Sequence, residues 1–271
     1  LETLSLMNCQ VQESDFLTCL KGWKLKTLQL IGCGNFGRAL LTSLSEDCPE
    51  LQNLEIYISS VSSVVHPHPK PFDDDSIKML AQHCSFLETL SLSTFYPESN
   101  ETSNVLPWQF SVQSLKHLAE HCPKLSLLNL SHLNLSKMSS THGFSVADIL
   151  NYFKLHCLKI THLGFPNVQG RDHEKELLSF ILSYKDQLVS LNLENNVFPQ
   201  EFYKDLSQCS KLRFLVLENT NMSFDSLKKL CMELSFLNFL DIKRCGQKLM
   251  KEISDQKSSL QLRPYLFLKD R

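Results

Sequence analysis

Three His-Cys dipeptides suggest metal chemistry, because imidazole nitrogen and thiolate sulfur are ligands that zinc prefers. The pairs are His83-Cys84, His121-Cys122 and His156-Cys157. Each pair ends a segment of helical periodicity, in which the cysteine falls on the apolar stripe and the histidine on the polar side. The two side chains of a pair are therefore expected to point apart. We predict buried cysteines here and no metal site.

Other candidate chemistry is weaker. The stretch GCGNFG, which begins at Gly32, is close to a dinucleotide-binding loop, but the residues around it do not form the required strand-loop-helix unit. His66 and His68 precede Asp73–Asp75 and could bind a metal, although acidic residues at a helix N-terminus also account for the aspartates. No P-loop, HExxH or nucleophile-elbow motif occurs. We predict no enzyme activity and no cofactor.

The composition is typical of a globular, core-forming protein. The chain has 271 residues, of which 42% are apolar and 21% charged, and its net charge is −2. This balance does not favour a nucleic-acid partner, and no apolar run is long enough to predict a membrane span. The ten cysteines are spread singly, which predicts reduced thiols in a cytoplasmic or nuclear protein. A secreted protein remains the alternative, because four glycosylation sequons occur, at Asn100, Asn129, Asn134 and Asn221.

A hexapeptide of the form L-x-x-L-x-L recurs nine times and indicates a repeat array. The copies begin at Leu1, Leu25, Leu51, Leu87, Leu125, Ile160, Leu188, Leu212 and Leu237. Alternating apolar residues predict a short, half-buried strand in each copy. Segments of helical periodicity lie between the copies, such as DDSIKMLAQHC, in which Ile77, Leu80, Ala81 and Cys84 form one stripe. Each unit should therefore be a strand, a loop, a helix and a tight return.

Two further repeat positions keep the same phase. A small polar residue or cysteine stands eight residues after several starts, where it is expected to hydrogen-bond the backbone as the chain leaves the strand. These residues are Cys9, Cys33, Asn196, Thr220 and Cys245. A cysteine also stands three residues before the first residue of several hexapeptides. These cysteines are Cys48, Cys84, Cys122, Cys157 and Cys209. Cys157 sets the register of the weak sixth copy, which begins at Ile160.

The pattern L-x-x-L-x-L-x-x-C, preceded by helices ending A-x-x-C-P-x-L as in LAEHCPKLSLLNL, resembles the cysteine-containing leucine-rich repeats of F-box proteins. Those proteins are substrate receptors of cullin–RING ubiquitin ligases. The resemblance implies an α/β leucine-rich-repeat solenoid, a curved horseshoe with a parallel concave sheet and outer helices. We expect the array over residues 1–259 and a capping strand over 260–271. An F-box segment that binds the ligase adaptor would have to precede Leu1.

The concave face is the first candidate for a protein partner, because the residues between the leucines should project there. Most of them are small and polar, from Thr3 and Ser5 to Ser190 and Asn192. The last two repeats differ, and aromatic residues next to charged ones are typical of an interaction hot spot. The predicted residues are Phe214, Val216, Glu218, Phe239, Asp241, Lys243 and Glu194. A C-terminal tail folded over the phenylalanines, or their packing on each other, is the alternative.

The second candidate is a rim of three long inserts, at 57–75, 93–111 and 131–145, all between a strand and the next helix. Their aromatic residues include Tyr57, Trp108 and Phe110, and we predict that these contact a partner. Loops of this length are usually either functional or disordered, and disorder remains open for the first, which is rich in serine and proline.

The sequence thus predicts a protein-binding array that recognises substrates for an F-box-type ubiquitin ligase. The alternative is a scaffold, inhibitor or immune-type sensor that binds a protein and recruits no ligase.

Overall fold

A computed structural model of the chain describes residues 1–33, 36–59, 70–95, 108–131, 146–165, 174–256 and 267–269. The chain divides into two compact units. The N-terminal unit comprises Leu1–Leu133 and Met138–Lys159, and the C-terminal unit comprises Asn134–Lys137 and Ile160–Arg271. Within each unit, parallel strands alternate with helices, so the fold class predicted from the sequence is confirmed as an α/β leucine-rich-repeat fold.

All nine hexapeptides contribute a strand. In the N-terminal unit the parallel sheet runs, in order, through β1 (Thr3–Met7), β2 (Thr27–Ile31), β3 (Asn53–Ser59), β5 (Thr89–Phe95) and β7 (Leu127–Asn129). In the C-terminal unit it runs through β8 (His162–Gly164), β9 (Ser190–Asn192), β10 (Phe214–Val216), β11 (Phe239–Asp241) and β12 (Phe267–Lys269). A separate pair of parallel strands consists of β4 (Phe72–Asp73) and β6 (Trp108–Gln109).

A helix separates most neighbouring strands of each sheet. The helices of the N-terminal unit are α1 (Glu13–Leu20), α2 (Arg38–Asp47), α3 (Asp74–His83), α4 (Val112–His121) and α5 (Val146–His156). Those of the C-terminal unit are α6 (Glu174–Ser183), α7 (Gln200–Asp205), α8 (Phe224–Glu233) and α9 (Gln247–Gln256). A 3-10 turn, Leu206–Gln208, follows α7 directly. The strand and helix order is the one that the repeat pattern predicts.

The strands pair in register, so that equivalent leucines of successive hexapeptides lie side by side. Leu54 lies between Leu28 and Leu90, and Leu215 lies between Leu191 and Leu240. All six side chains are fully buried, because one face of each sheet packs against the helices. The sixth hexapeptide is in the predicted register, since the backbone of His162 pairs with that of Ser190.

Buried cysteines line the returns from helix to strand. The thiol of Cys122 donates to the carbonyl oxygens of Ala81 and Cys84, and the thiol of Cys157 donates to those of Ala119 and Cys122. Each thiol therefore bonds to the preceding repeat. The histidine before each cysteine stays at the surface or half-buried, as the helical pattern predicts.

The N-termini of α3, α4 and α8 carry the expected serine and aspartate caps. The side chain of Asp73 accepts a hydrogen bond from the amide of Ser76, and the Ser76 hydroxyl lies 3.0 Å from the amide of Asp73. This is a capping box at the start of α3. Ser111 and Ser223 cap α4 and α8 in the same way, each accepting one backbone amide hydrogen bond.

Candidate functional site

The solvent side of each sheet, which we call the open face, carries the residues between the leucines. In the N-terminal unit most of these residues are polar, and several bond to one another across the strands. Gln29 donates to Glu55, Asn53 donates to Thr27, and Asn129 donates to Ser91, each over 3.1 Å. These six side chains are thus engaged within the protein.

The open face of the C-terminal unit carries an aromatic pair instead. Phe214 of β10 and Phe239 of β11 are register partners, and their ring centroids lie 6.5 Å apart with the planes tilted by 40°. Phe214 is 45% exposed, and Phe239 is partly exposed. Val216, two residues beyond Phe214, is also partly exposed on the same face. We call Phe214, Val216 and Phe239 the Phe214 patch.

The strand β12 continues the sheet beside β11, and the backbone of Phe267 pairs in register with that of Phe239. The two phenylalanines of the patch do pack on each other, as the alternative interpretation proposed, and Phe214 is still largely open to solvent.

Two of the predicted charged contacts are wrong as surface groups, because their side chains are buried. Asp241 is 4% exposed, and its carboxylate accepts the amide hydrogen bond of Lys243. Glu194 is 8% exposed, and both its carboxylate oxygens lie within 3.5 Å of asparagine amide nitrogens. Both carboxylates stabilise the turn that follows their strand. They do not form the exposed charged ring that the sequence suggested.

The remaining predicted charged residues lie in the turns that follow β10 and β11. Glu218 and Lys243 are partly exposed, and Glu218 pairs with Arg244 at 3.5 Å. The side chain of Arg244 is 56% exposed. Sequence reasoning missed Arg244, although it stands seven residues after Leu237, where two neighbouring repeats carry asparagine.

This repeat position adopts a left-handed backbone. Asn195, Asn219 and Arg244 have φ angles of 59°, 53° and 58°. The turns join one another, since the amide of Asn195 donates to the Glu218 carbonyl and that of Asn219 to the Lys243 carbonyl. The next residue in each repeat is the predicted small polar one. Thr220 donates to the Leu217 carbonyl, which confirms its expected role.

The rim of inserts is only partly described, because residues 60–69, 96–107 and 132–145 lie outside the described residues. Tyr57 is partly buried at the end of β3, beside Ile31 and Ser93 of the adjacent strands. Trp108 lies in β6, with its backbone paired to that of Phe72. Phe110 is 3% exposed, so it belongs to the core and its prediction as a surface contact is wrong.

Buried cysteines are not reactive groups in this fold. Burial raises the pKa of Cys84, Cys122, Cys157 and Cys209 to about 12 in each case. These thiols are therefore neutral at physiological pH, and neutral thiols are poor nucleophiles and poor metal ligands. Their place is structural.

One group of side chains in the described part of the chain is close enough to hold a metal ion. It consists of His117, Glu120 and His121 on α4. It does not include the cysteines of the His-Cys dipeptides, which the sequence analysis considered as zinc ligands. The motif His66–His68 lies outside the described residues.

Among the helices of the described ranges, none combines the length and the apolar character needed to span a bilayer.

No model of a protein family and no curated protein sequence matches the chain. Three solved structures illustrate the matches in fold. A leucine-rich-repeat protein of Leptospira interrogans is 14% identical over 99% of this chain and 72% of its own, with a TM-score of 0.43. A chain of the yeast Rad7–Elc1 complex is 13% identical over 85% of this chain and 60% of its own, with a TM-score of 0.47. The internalin InlF of Listeria monocytogenes is 15% identical over 99% and 74%, with a TM-score of 0.46.

Proposed function

We propose that this chain is a protein-recognition module whose C-terminal unit holds a partner at the Phe214 patch. The observation that carries the proposal is the exposure of Phe214, at 45%, beside Phe239 on adjacent strands of a packed sheet. Exposed aromatic side chains held on a rigid scaffold are typical of interaction hot spots, because they lose little conformational entropy on binding.

The surroundings of the patch favour a peptide-like or protein partner with mixed character. Arg244 and Lys243 offer cationic and hydrogen-bonding groups in the turn after β11, while Glu218 supplies the opposite charge. An apolar anchor with a polar rim is the usual composition of a protein interface. The open face of the N-terminal unit also carries an exposed apolar residue, Met7, which is 61% exposed and lies in register with Ile31, but hydrogen-bonded polar pairs occupy much of the rest of that face.

The finer proposal is that the bound protein is a substrate of an F-box-type ubiquitin ligase. It is supported by the cysteines at two fixed repeat positions, which are characteristic of the repeat class that the sequence resembles. The ligase adaptor would bind a segment outside this chain. The target would then be held at high effective concentration near the ubiquitin donor. Recognition without a ligase, by a scaffold, inhibitor or sensor, is the second candidate.

A reducing compartment, the cytoplasm or the nucleus, is part of this proposal. All ten cysteines are free thiols. Two of the four sequon asparagines also have engaged side chains, since Asn129 donates to Ser91 and Asn221 donates to the Phe198 carbonyl. A glycan on either amide would have to replace these bonds.

The test is affinity capture from cells with the full-length protein. We expect the double substitution Phe214→Ala and Phe239→Ala to release the specific partner, because truncation of a hot-spot residue costs about 2 kcal/mol or more. Phe236→Ala is the matched control, since Phe236 is 49% exposed in the same unit but lies in the turn before β11.

Capture must be scored for cullin and adaptor as well as for the partner. Partner and ligase together support the F-box assignment, and partner without ligase supports the second candidate. Equal loss of the partner in the double variant and in Phe236→Ala, or no loss in either, would contradict the patch as the binding site.

A further inference from the structure

The outer surface of α4 brings two histidines and a glutamate together, one helical turn apart. His117, Glu120 and His121 follow the spacing i, i+3 and i+4, which places side chains on the same side of a helix. One ligand atom from each of the three lies within 4.8 Å of the others. The imidazole rings are nearly parallel, at 14°, with centroids 6.2 Å apart.

The packing of α4 holds these residues in place. Leu115, Leu118 and Ala119 on the opposite side of the helix are buried in the core of the N-terminal unit. The helix ends at Cys122, whose amide donates to the Leu118 carbonyl. The backbone beneath the three ligands is therefore set by the core, so a bound ion would need little ordering of the chain.

The three groups are accessible and chemically suited to a transition metal. The side chains of His117 and Glu120 are 19% and 30% exposed. Lys78 lies near enough for its charge to act on the His117 ring. The Nδ1 atom of His117 is itself buried, has no hydrogen-bond partner and lies 3.8 Å from the Glu120 carboxylate, so an ion would reach it from the side of Glu120.

We propose that His117, Glu120 and His121 form a binding site for a divalent transition-metal ion, with zinc as the reference ion. Imidazole nitrogen suits zinc, nickel and copper, and a carboxylate is an accepted third ligand. Ligand atoms bound to one zinc ion at about 2.0–2.1 Å lie roughly 3–3.5 Å apart. Rotation of the side chains would bring the ligand atoms to this spacing by moving each of them about an ångström. Water would complete the coordination sphere.

The positive charges of two nearby lysines weaken binding of a metal ion, so we expect an ion at this site to exchange with solution. Lys116 lies 3.5 Å from the Glu120 carboxylate and would have to yield it to the metal. Lys116 also lies 4.8 Å from the centre of the Tyr152 ring, so it keeps a partner when it does. The charge of Lys78 further weakens binding. We therefore expect weaker binding than at a four-ligand structural zinc site.

The neighbouring repeats supply built-in controls. The residues that correspond to His117 are Met79 on α3 and Tyr152 on α5, and those that correspond to His121 are His83 and His156. Each of these two helices thus carries one histidine without a second imidazole one turn before it. Tyr152 even stacks on His156 at 6.0 Å, as His117 does on His121.

The experiment measures zinc affinity of the whole chain by titration against a chelating indicator, in a background with Cys9→Ser and Cys19→Ser, because these two cysteines are the ones not buried. We expect one zinc ion per chain. We expect His117→Gln and His121→Gln to weaken binding at least tenfold, since even loss of a residue that only supports a ligand costs roughly 10- to 100-fold. His83→Gln and His156→Gln should leave the affinity unchanged.

A gain-of-function variant adds an independent check. Tyr152→His combined with Leu155→Glu gives α5 the two histidines and the carboxylate of α4 at the same spacing, and it should add a second, similar zinc-binding event. Circular dichroism verifies that each variant is folded. Absence of zinc binding in the parent chain, or equal affinities in His121→Gln and His83→Gln, would overturn the proposal. Neither result bears on partner capture at the Phe214 patch, which this site does not involve.

Discussion

The Cys84 thiol lies 3.5 Å from the carbonyl oxygen of Cys48, and the Cys122 thiol lies 3.9 Å from the carbonyl oxygen of Cys84. The recurring cysteine is thus a small, buried donor to the backbone of the preceding repeat. In these repeats cysteine is small enough for the return from helix to strand, and alanine would leave the carbonyl without this donor. The last repeat has Leu234 at the equivalent position, so the return there is built differently.

Thiol reactivity should separate these cysteines from the exposed ones. With a pKa of about 12 and full burial, Cys84, Cys122 and Cys157 should resist alkylation in the folded protein. Cys19 is exposed and should be modified first. Mass spectrometry after brief iodoacetamide treatment at neutral pH measures this order. Early modification of Cys122 in the folded chain would contradict the structure.

Alkaline pH should destabilise the fold through the same thiols. The pKa of Cys84 is raised from 9.0 to about 12, so between these values the unfolded chain loses a proton that the folded chain keeps. The free energy of unfolding therefore falls as pH rises above 9, by about 1.4 kcal/mol per pH unit for each such cysteine. Urea unfolding at about pH 8 and about pH 10.5 measures the effect.

Cys84→Ala is the comparison for this measurement. The variant is expected to be less stable near neutral pH and to lose less stability on the way to alkaline pH. The stability difference from the parent chain should narrow by about 2 kcal/mol over 1.5 pH units above pH 9. A constant difference at every pH would show that ionisation of Cys84 is not involved.

The left-handed position after β10 should discriminate between glycine and alanine. Asn219 has a φ of 53°, a region that costs most side chains about 1–2 kcal/mol. Asn219→Ala should therefore lower the free energy of unfolding by at least about 1 kcal/mol. Asn219→Gly should cost less, although it also loses the hydrogen bond from the Asn219 amide nitrogen to Asn195.

Asn238→Ala is the matched control for the turn. Asn238 is exposed just before β11 and has no left-handed backbone, so its truncation should change stability by less than about 0.5 kcal/mol. Thermal unfolding of the three variants measures the order. A glycine variant at position 219 that is as unstable as the alanine variant would show that the side-chain bond, not the backbone, decides the effect.

The sequence by itself determined the repeat fold. A strand has a period of two, so the spacing of Leu28, Leu30 and their counterparts already specifies which side chains enter the core. The same local logic placed Cys84 inward and His83 outward, and it placed Phe214 and Phe239 on the open face. These properties depend on residues within one repeat and its immediate neighbour, which is why a repeating pattern reveals them.

Only the tertiary structure decided how the side chains beyond the strands are used. Glu194 and Asp241 follow the outward spacing, yet both carboxylates turn back onto their own loops. The Glu194 carboxylate accepts from the side-chain amides of Asn192 and Asn195, and that of Asp241 accepts from the backbone amide of Lys243. Phe110 enters the core beside the short strand β6, a pairing between two inserts that no local period predicts. The cluster of His117, Glu120 and His121 has a readable spacing, but its ring orientation and solvent access depend on how α4 packs against its neighbours. Short-range periodicity specifies which face a residue belongs to, whereas contacts between distant segments decide whether it remains available to a ligand.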